Sequence, residues 1–162
     1  MPEPLEITLR AASRADAADI AAVWHRGWSD GHLGNVPEAL HAHRRLVDFQ
    51  KRVPPRIPTT TVAMVGQEIV GFVTVHDNEV EQLYVAASAR GAGVAAALLR
   101  HGEKVISARY PKAWLAVAVG NARARRFYAR EGWSDAEALD YPAETAAGPV
   151  MVACRRYEKV VR

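Results

Sequence analysis

Apolar and polar residues alternate near the start of the chain and then repeat at helical spacing. Leucine and isoleucine alternate with polar residues over positions 5–11, which predicts a first strand. Ser13 followed three residues later by Asp16 is the pattern of a capping box, so a helix is expected to begin there. The apolar face of this helix is predicted to contain Ile20, Val23, Trp24, Gly27 and Trp28. Gly31 and Gly34 are expected to end it.

A second helix is predicted to begin at Pro37, where the missing N–H of proline costs nothing. Its shared face is predicted to contain Leu40, Arg44, Val47 and Lys51. Three prolines between positions 54 and 58 are expected to stop it. Arg44 and Arg45 are expected to lie on a solvated face of this helix.

The rest of the chain alternates strands with two further helices. Strands are predicted over residues 59–65, 69–76 and 79–85, then a helix to about 109, a strand over 114–119, a helix over about 121–131, a short strand over 133–136, a loop, and a final strand from 150 to about 157. The order β-α-α-β-β-β-α-β-α-β-β predicts an α/β fold with helices on both faces of a mixed, mostly antiparallel sheet. A functional crevice is expected where the strands over 79–85 and 114–119 diverge.

Length and composition narrow the class of protein. With 162 residues, 49% of them hydrophobic, the chain is expected to form one domain over residues 1–162. Its apolar runs are far shorter than the ~20 residues of a membrane span, and no signal-peptide pattern opens it, so no membrane partner is expected. The single cysteine, Cys154, predicts a reducing cytoplasm and no thiolate metal site. A net charge of +3 without a run of basic residues argues against nucleic-acid binding. The oligomeric state is left open, with a homodimer as one possibility.

A glycine-bearing loop between a strand and a helix is the first candidate for chemistry. Its residues are Arg90, Gly91, Ala92, Gly93, Val94 and Ala95. Small residues at a helix N-terminus leave backbone N–H groups free to bind a phosphate, and the adjacent arginine adds a positive charge. An ordinary tight-packing loop is the alternative. A dinucleotide fingerprint is rejected, because residues 86–90 separate the strand from the glycines and no acidic residue ends the next strand.

Asn121 is predicted to cap the following helix, and this helix carries the second candidate for chemistry. Asn121, Ala124 and Tyr128 lie on one helical face at offsets of three and four, and the small Ala124 allows a ligand to approach the helix closely. Gly132 is expected to end the helix. For Tyr128 alone, a packed aromatic ring with its hydroxyl at the surface is the simpler interpretation.

Together the two segments resemble the GNAT superfamily of acetyl-coenzyme A-dependent N-acetyltransferases. The loop over residues 90–95 fits the family pattern Gln/Arg-x-x-Gly-x-Gly/Ala, and it follows a strand ending Leu-Tyr-Val. Residues 121–133 match the later pattern Asn-x-x-Ala-x-x-Phe-Tyr-x-x-x-Gly-Phe/Trp, and the spacing between the two motifs is that of the family. One departure is the missing proline before the loop, where Ala-Ala-Ser stands at 86–88.

The resemblance implies a GNAT fold, acetyl-CoA as the acetyl donor and a set of residues that bind it. These are Leu83, Tyr84, Val85, Arg90, Gly91, Ala92, Gly93, Val94, Ala95, Asn121, Ala124 and Tyr128. Backbone amides of residues 90–95 would hold the pyrophosphate. Leu83 and Val85 would pair with the pantetheine arm like an added strand. Asn121 would hydrogen-bond the pantetheine or its bound water.

The implied reaction is direct attack of an amine on the acetyl thioester. By analogy with the family, the Val85 N–H would stabilise the developing oxyanion, and Tyr128 would act as the general acid toward the leaving sulfur. Glu81 is the expected general base, acting through water on the same side of its strand as Glu79 and Leu83. A solvated carboxylate is the alternative interpretation of Glu81, and His76 is the second candidate for the base.

The acceptor amine is expected between the first two helices. Trp24, Trp28 and His32 are predicted to wall that site, together with His25 and Asp30; a pure core role for the two tryptophans is the alternative. The acceptor is expected to be a small molecule, although an N-terminal or lysine acetyltransferase acting on proteins remains open. A catalytically silent acyl-CoA-binding module is a further alternative, against which the presence of Tyr128 and Asn121 argues.

Overall fold

The computed structural model describes residues 6–162, which form a seven-stranded sheet with helices on both faces. The strands are β1 (Thr8–Ala11), β2 (Thr60–Val65), β3 (Glu68–His76), β4 (Glu79–Val85), β5 (Lys112–Ala118), β6 (Ser134–Ala143) and β7 (Val150–Val160). The helices are α1 (Ala17–His32), α2 (Glu38–His41), α3 (Leu46–Arg52), α4 (Val94–Ser107) and α5 (Ala122–Arg130). The predicted fold class is confirmed. Leu5, where the first strand was expected to begin, lies outside the described residues.

The sheet has the strand order β1-β2-β3-β4-β5-β7-β6. Its neighbours run antiparallel except β4 and β5, which are parallel and pair only at Glu79 and Trp114. Beyond that pair the two strands separate toward their carboxyl ends. A gap at this place is where open α/β sheets place their ligands, so the crevice lies where the sequence predicted it.

A β-bulge interrupts β4 at Glu81. Thr74 of β3 pairs with Gln82, whereas the next residue, Val75, pairs with Val80, so Glu81 is the extra residue. The expectation that Glu81 and Leu83 share one side of the strand is therefore wrong. The bulge turns Glu81 toward the face covered by α1, and Leu83 packs on the opposite face.

Each face of the sheet has its own apolar core. Leu98 and Ile106 of α4 belong to the core beneath one face, together with Leu115 of β5. Trp24 of α1 and Phe49 of α3 belong to the core of the other face, with their ring centroids 5.1 Å apart. The two cores place α4 on one side of the gap and α1 on the other, so both helices border it.

The predicted second helix is divided into α2 and α3, so the expectation of one continuous helix is wrong. Pro37 precedes α2, and α3 begins anew after Arg45, whose backbone N–H donates to the Asp48 carboxylate at 2.8 Å. This cap starts a fresh helix and leaves residues 42–45 outside regular helix. The break turns the Arg44 side chain inward: Arg44 is only 6% exposed, which contradicts the solvated face expected for it.

The strand predicted over residues 133–136 is also longer than expected. β6 runs through Pro142 to Ala143 and pairs with β7 along its length. Proline is tolerated there because β6 is the edge strand, whose outer side needs no N–H donor. The long β6–β7 hairpin brings Tyr141 and residues 142–144 over the gap, where the sequence predicted only a loop.

Candidate active site

Two cavities meet at the gap between β4 and β5. The first, here named the loop cleft, has a volume of about 410 Å³ and lies between the 89–96 segment, the end of β4 and α5. The second, here named the helix cavity, has a volume of about 360 Å³ and lies between α1, the α2–α3 segment and the β6–β7 hairpin. Six residues line both: His32, Leu83, Tyr84, Asn121, Ala124 and Tyr128. A molecule in one cavity can therefore touch a molecule in the other at these residues.

The loop cleft contains nearly all the residues that the sequence predicted to bind the cofactor. Those lining it are Leu83, Tyr84, Val85, Arg90, Gly91, Gly93, Val94, Ala95, Asn121, Ala124 and Tyr128. Ala92 is the exception, since it does not line the cleft and packs against the core beneath α4.

The loop itself has the backbone that a phosphate cradle needs. Gly91 and Gly93 have φ values of 80° and 83°, and a Cβ atom at either position would meet nothing within 4 Å. Gly93 immediately precedes α4, whose 14 residues direct a positive dipole end into the cleft. Positive φ at both glycines, open space above them and a helix N-terminus together fit a pyrophosphate group.

Charged side chains surround the mouth of the loop cleft. Arg90 donates to Asp30 of α1 at 2.6 Å, so Asp30 lies beside the glycine loop and outside the acceptor wall where it was expected. Arg123 and Arg130 of α5 also line the cleft, a position that was not predicted from the sequence. Their separation of seven residues, two helical turns, is the signal that places them on one face.

The edge of β4 presents unpaired backbone groups to the gap. Ala86 N–H donates to the Val70 carbonyl at 2.8 Å, which makes these residues a hydrogen-bonded pair of the β3–β4 ladder. Hydrogen-bonded pairs alternate with non-bonded ones in antiparallel strands. Leu83 and Val85 are thus non-bonded with respect to β3, and their N–H and C=O groups face the side where β5 has separated.

Two glycines of α1 allow that helix to approach the gap closely. A Cβ atom at Gly27 would lie 2.5 Å from the Tyr84 ring, and one at Gly31 would lie 3.1 Å from Nδ2 of Asn121. α1 ends at His32, between Gly31 and Gly34, where the sequence predicted its end. The close approach brings His32, at the last position of α1, into both cavities.

Asn121 and Tyr128 occupy the junction of the two cavities. Oδ1 of Asn121 accepts from the Ala124 N–H at 3.3 Å and caps α5, as the sequence predicted. The Tyr128 ring is enclosed by Phe127, Trp133 and Tyr157, with centroids 5.2 to 6.3 Å away. Burial raises the pKa of Tyr128 above its ordinary value, so the hydroxyl keeps its proton at neutral pH.

Two carboxyl groups of β4 line the helix cavity. Glu81 accepts from Nε of Arg56 at 2.6 Å, and Glu79 accepts from the Tyr141 hydroxyl at 2.7 Å. Burial, with a smaller contribution from the charge of Glu81, raises the pKa of Glu79 despite the bond from Tyr141. His76 also borders the cavity, but its side chain is 68% exposed and lies 3.5 Å from Asp77.

The helix cavity contains the three residues predicted to bind the acceptor. Trp24, Trp28 and His32 all line it, and His32 stacks on Trp28 with centroids 5.3 Å apart. Burial lowers the pKa of His32 to about 4, so its imidazole is neutral at neutral pH. His25 does not line the cavity and packs near Phe49 instead, which corrects its predicted place.

The charged wall of this cavity was not predicted from the sequence. Arg52 lies 4.3 Å above the Trp24 ring and donates to Glu144 at 3.1 Å. Arg56 bonds both Glu81 and Glu144. Arg52 and Arg56 are only four residues apart, but the carboxylates of Glu81 and Glu144 come from distant strands and loops, so no local spacing connects them to the arginines.

Most of the segments that form this site match the sequence model of a known protein family. Residues 22–133, well over half of the chain, match the model of the Acetyltransferase (GNAT) family. The chain belongs to the GNAT family. Family membership confirms the predicted enzyme class, an N-acetyltransferase, and acetyl-CoA as the acetyl donor. No curated protein matches the chain significantly.

Solved GNAT structures share the fold at low sequence identity. A GCN5-related N-acetyltransferase from Rhodopseudomonas palustris is 20% identical with a TM-score of 0.76, and the match covers 99% of each chain. PaiA N-acetyltransferase from Thermoplasma acidophilum, solved with coenzyme A, is 18% identical with a TM-score of 0.75, covering 96% of this GNAT chain and 99% of that one. YncA from Salmonella typhimurium, solved with acetyl-CoA, is 16% identical with a TM-score of 0.72, covering 97% and 95%. None of the described helices is long and apolar enough to cross a membrane.

Proposed function

We propose that this GNAT enzyme transfers the acetyl group of acetyl-CoA to a primary amine of a small molecule. The observation that carries the proposal is the meeting of two cavities at Tyr128. The loop cleft has a phosphate cradle at one end, and the helix cavity has the volume of a small-ligand site. A shared junction lets two bound reactants touch, and positioning of this kind supplies much of the rate of a bimolecular reaction.

Donor binding is assigned to the loop cleft. Backbone N–H groups between Arg90 and Ala95 hold the pyrophosphate, helped by the dipole of α4. Arg123 and Arg130 add positive charge at the mouth. The free backbone groups of Leu83 and Val85 hydrogen-bond the pantetheine amides in the manner of a neighbouring strand.

The chemical step forms a C–N bond and breaks the C–S bond. The N–H of Val85 faces the gap and stabilises the negative charge that develops on the thioester oxygen. Tyr128 gives its proton to the departing sulfur, because its raised pKa keeps the hydroxyl protonated until then. Asn121 orients the donor at the junction, with Oδ1 held by its bond from Ala124 N–H.

The amine must lose a proton before or during the attack. We assign the base to Glu81, acting through water, because the bulge directs this carboxylate into the helix cavity and Arg56 holds it there. Glu79 is a second carboxyl beside it, and its raised pKa makes its carboxylate a stronger base than an ordinary glutamate. His76, exposed at the rim, is the weaker candidate.

A small acceptor fits the helix cavity better than a polypeptide. Trp24 and Trp28 lie on one side of it and Tyr141 on the other, so the acceptor enters between a helix and the β6–β7 hairpin. A silent acyl-CoA-binding module would not need two carboxyl groups and a tyrosine hydroxyl at the junction.

We also propose a cytoplasmic location, which the buried free thiol of Cys154 supports. One domain over residues 1–162 stays a prediction.

The proposal is tested in two steps. Calorimetry should show that the protein binds acetyl-CoA with low-micromolar to sub-millimolar affinity. The protein should bind NAD more weakly or not at all. A screen of primary amines, with release of the free coenzyme A thiol as readout, should then find acceptors. Absence of coenzyme A binding, or tighter binding of NAD, would remove the donor assignment. Binding without turnover of any amine or peptide would leave the silent module as the answer.

A further inference from the structure

The helix cavity contains a cation that the proposed mechanism does not use. Arg44 lies in the break between α2 and α3, where its backbone N–H donates to the His41 carbonyl at 3.2 Å. Its side chain lines the helix cavity, although the residue is only 6% exposed. Arg44 is thus a buried guanidinium group at the wall of the acceptor site.

This guanidinium is almost without partners among residues 6–162. Nη1 donates to the His43 carbonyl at 3.0 Å, and Nε has no hydrogen-bond acceptor. No carboxylate of the described chain forms an ion pair with it, whereas Arg52 and Arg56 on the same cavity are each paired with Glu144. Of the three arginines around the cavity, two have carboxylate partners in the protein and the third does not.

Burying the Arg44 guanidinium without a carboxylate partner costs free energy unless a ligand supplies hydrogen-bond acceptors. A buried cation without a partner loses its hydration and gains little in return, and most of the five guanidinium donors of Arg44 remain unused. Burial and the nearby charge of Arg52 lower the pKa of Arg44 to about 10, so the group is still a cation at neutral pH.

The rest of the cavity defines where the other end of the ligand lies. Glu81 lies two residues before Leu83, the first β4 residue that both cavities share, and Glu79 lies two residues further back; the proposed reaction needs the amine on this side of the cavity. Arg44 comes from the α2–α3 break, a different element of the wall. The cavity therefore offers carboxyl groups toward an amine and an unpaired cation toward an anion.

We infer that the acceptor is a small amine that also carries a carboxylate, as an amino acid does, and that Arg44 binds this carboxylate. The inference rests on the proposed function and narrows its substrate class. Guanidinium groups bind carboxylates through paired N–H···O bonds, which match both charge and shape. Arg44 is a specificity residue in this assignment, and the bond changes are those of the acetyl transfer already described.

The experiment compares matched acceptors on the full chain. Each α-amino acid of a panel is assayed beside its carboxamide, which keeps the amine and the side chain and lacks the charge. The ratio of kcat/KM between acid and amide should be at least about tenfold in the wild type, in line with the usual strength of hydrogen bonds to charged groups. Arg44→Gln should reduce this ratio to within about threefold of one, and Arg44→Lys should restore part of it.

Controls separate specificity from folding and from the donor site. Arg45→Gln removes the neighbouring exposed arginine, which pairs with Asp48 at the surface, and should leave the ratio unchanged. Thermal unfolding and acetyl-CoA affinity should be similar in all variants. A ratio near one in the wild type, a preference for the amides, or an unchanged ratio in Arg44→Gln would overturn the inference while leaving acetyl transfer intact. Failure of the protein to bind acetyl-CoA would instead remove the proposed function itself.

Discussion

The loop cleft and the helix cavity are built from different parts of the molecule. The loop cleft is lined mainly by two continuous segments, residues 83–96 and 121–131, with three residues of α1 beside them. The helix cavity uses charged and aromatic side chains from α1, α3, β4, β6 and the turns between them. The loop cleft is therefore determined largely by local sequence, and the helix cavity depends on contacts between distant segments. Substitutions in the loop cleft should impair acetyl-CoA binding, and substitutions in the helix cavity should impair use of the acceptor.

The largest effect is expected from Gly93→Val. Gly93 has a φ of 83°, which a β-branched residue adopts only with strain, and the new side chain would cover the amides at the start of α4. Acetyl-CoA binding measured by calorimetry should be abolished while the protein still folds.

The matched control for Gly93→Val is Gly66→Val, in the turn between β2 and β3. Gly66 has a φ of 60° and lies outside both cavities, so its substitution imposes similar backbone strain away from the site. Normal coenzyme binding by Gly93→Val, or equal loss in both variants, would contradict the assignment of the cradle.

The next largest effect should be on turnover, with Tyr128→Phe. The ring still packs among Phe127, Trp133 and Tyr157, and only the hydroxyl group is lost. Because a thiolate is already a fair leaving group, kcat should fall by roughly tenfold to a hundredfold, the low end for general acid catalysis. KM for acetyl-CoA should change by less than about threefold.

Tyr110→Phe provides the comparison for Tyr128→Phe, because Tyr110 packs against the core beneath α4 and lines neither cavity. Its kcat should equal that of the wild type. If Tyr128→Phe also turns over at the wild-type rate while chemistry limits the reaction, Tyr128 is a packing residue.

A pH-dependent effect is expected from Glu81→Gln. A base is needed most where the amine is protonated, so turnover should fall by about tenfold near pH 6 and by less near pH 9. The pH–rate profile of the same substitution at Glu79 identifies which carboxyl sets the acid limb. The raised pKa of Glu79 means that activity depending on its ionised form is lost as the pH falls through that pKa. An unchanged profile in both variants would transfer the role to His76 or to solvent.

The smallest effect on activity should come from Asp16→Ala, outside both cavities. Asp16 accepts from the Ser13 N–H at 2.7 Å and from both terminal nitrogens of Arg10, at 2.7 and 2.9 Å. Its loss should lower the free energy of unfolding by about 1 kcal/mol, the usual value of a lost helix cap. Urea denaturation measures this change, and kcat/KM should stay within twofold of the wild type.

The effect of Asp16 should depend on pH in one direction. The bond from Arg10 lowers the pKa of Asp16 below its unfolded value, so its stabilisation is present above about pH 4 and is lost as the pH falls through the folded pKa. The difference between wild type and variant should therefore shrink in acid. A difference that grows in acid would contradict this origin.

Sequence patterns predicted the loop cleft well because most of its residues lie close together in the chain. The conformations of Gly91 and Gly93 and the helix cap at Asn121 follow from residues close together in the chain, and the divergence of β4 from β5 was predicted from the order of the elements. The roles assigned to these residues in binding and catalysis remain predictions.

The helix cavity was less predictable for physical reasons. Asp48 starts a new helix and so moves Arg44 from a surface face into a cavity wall. The edge position of β6 lets it continue through Pro142, which no local rule indicates. The bulge at Glu81 exists only because of how β3 pairs with β4, and it changes which side of the sheet each later residue faces.

The single pair between β4 and β5 divides one sheet into two leaves. β1–β4 form one leaf and β5–β7 the other, and the backbone ladder between them has one rung, from Glu79 to Trp114. An extended chain lying along Leu83 and Val85 adds the rungs that the protein omits. Under the proposed donor assignment, the sheet is incomplete in the free protein, and binding of the pantetheine arm supplies the backbone hydrogen bonds that β5 does not make with β4.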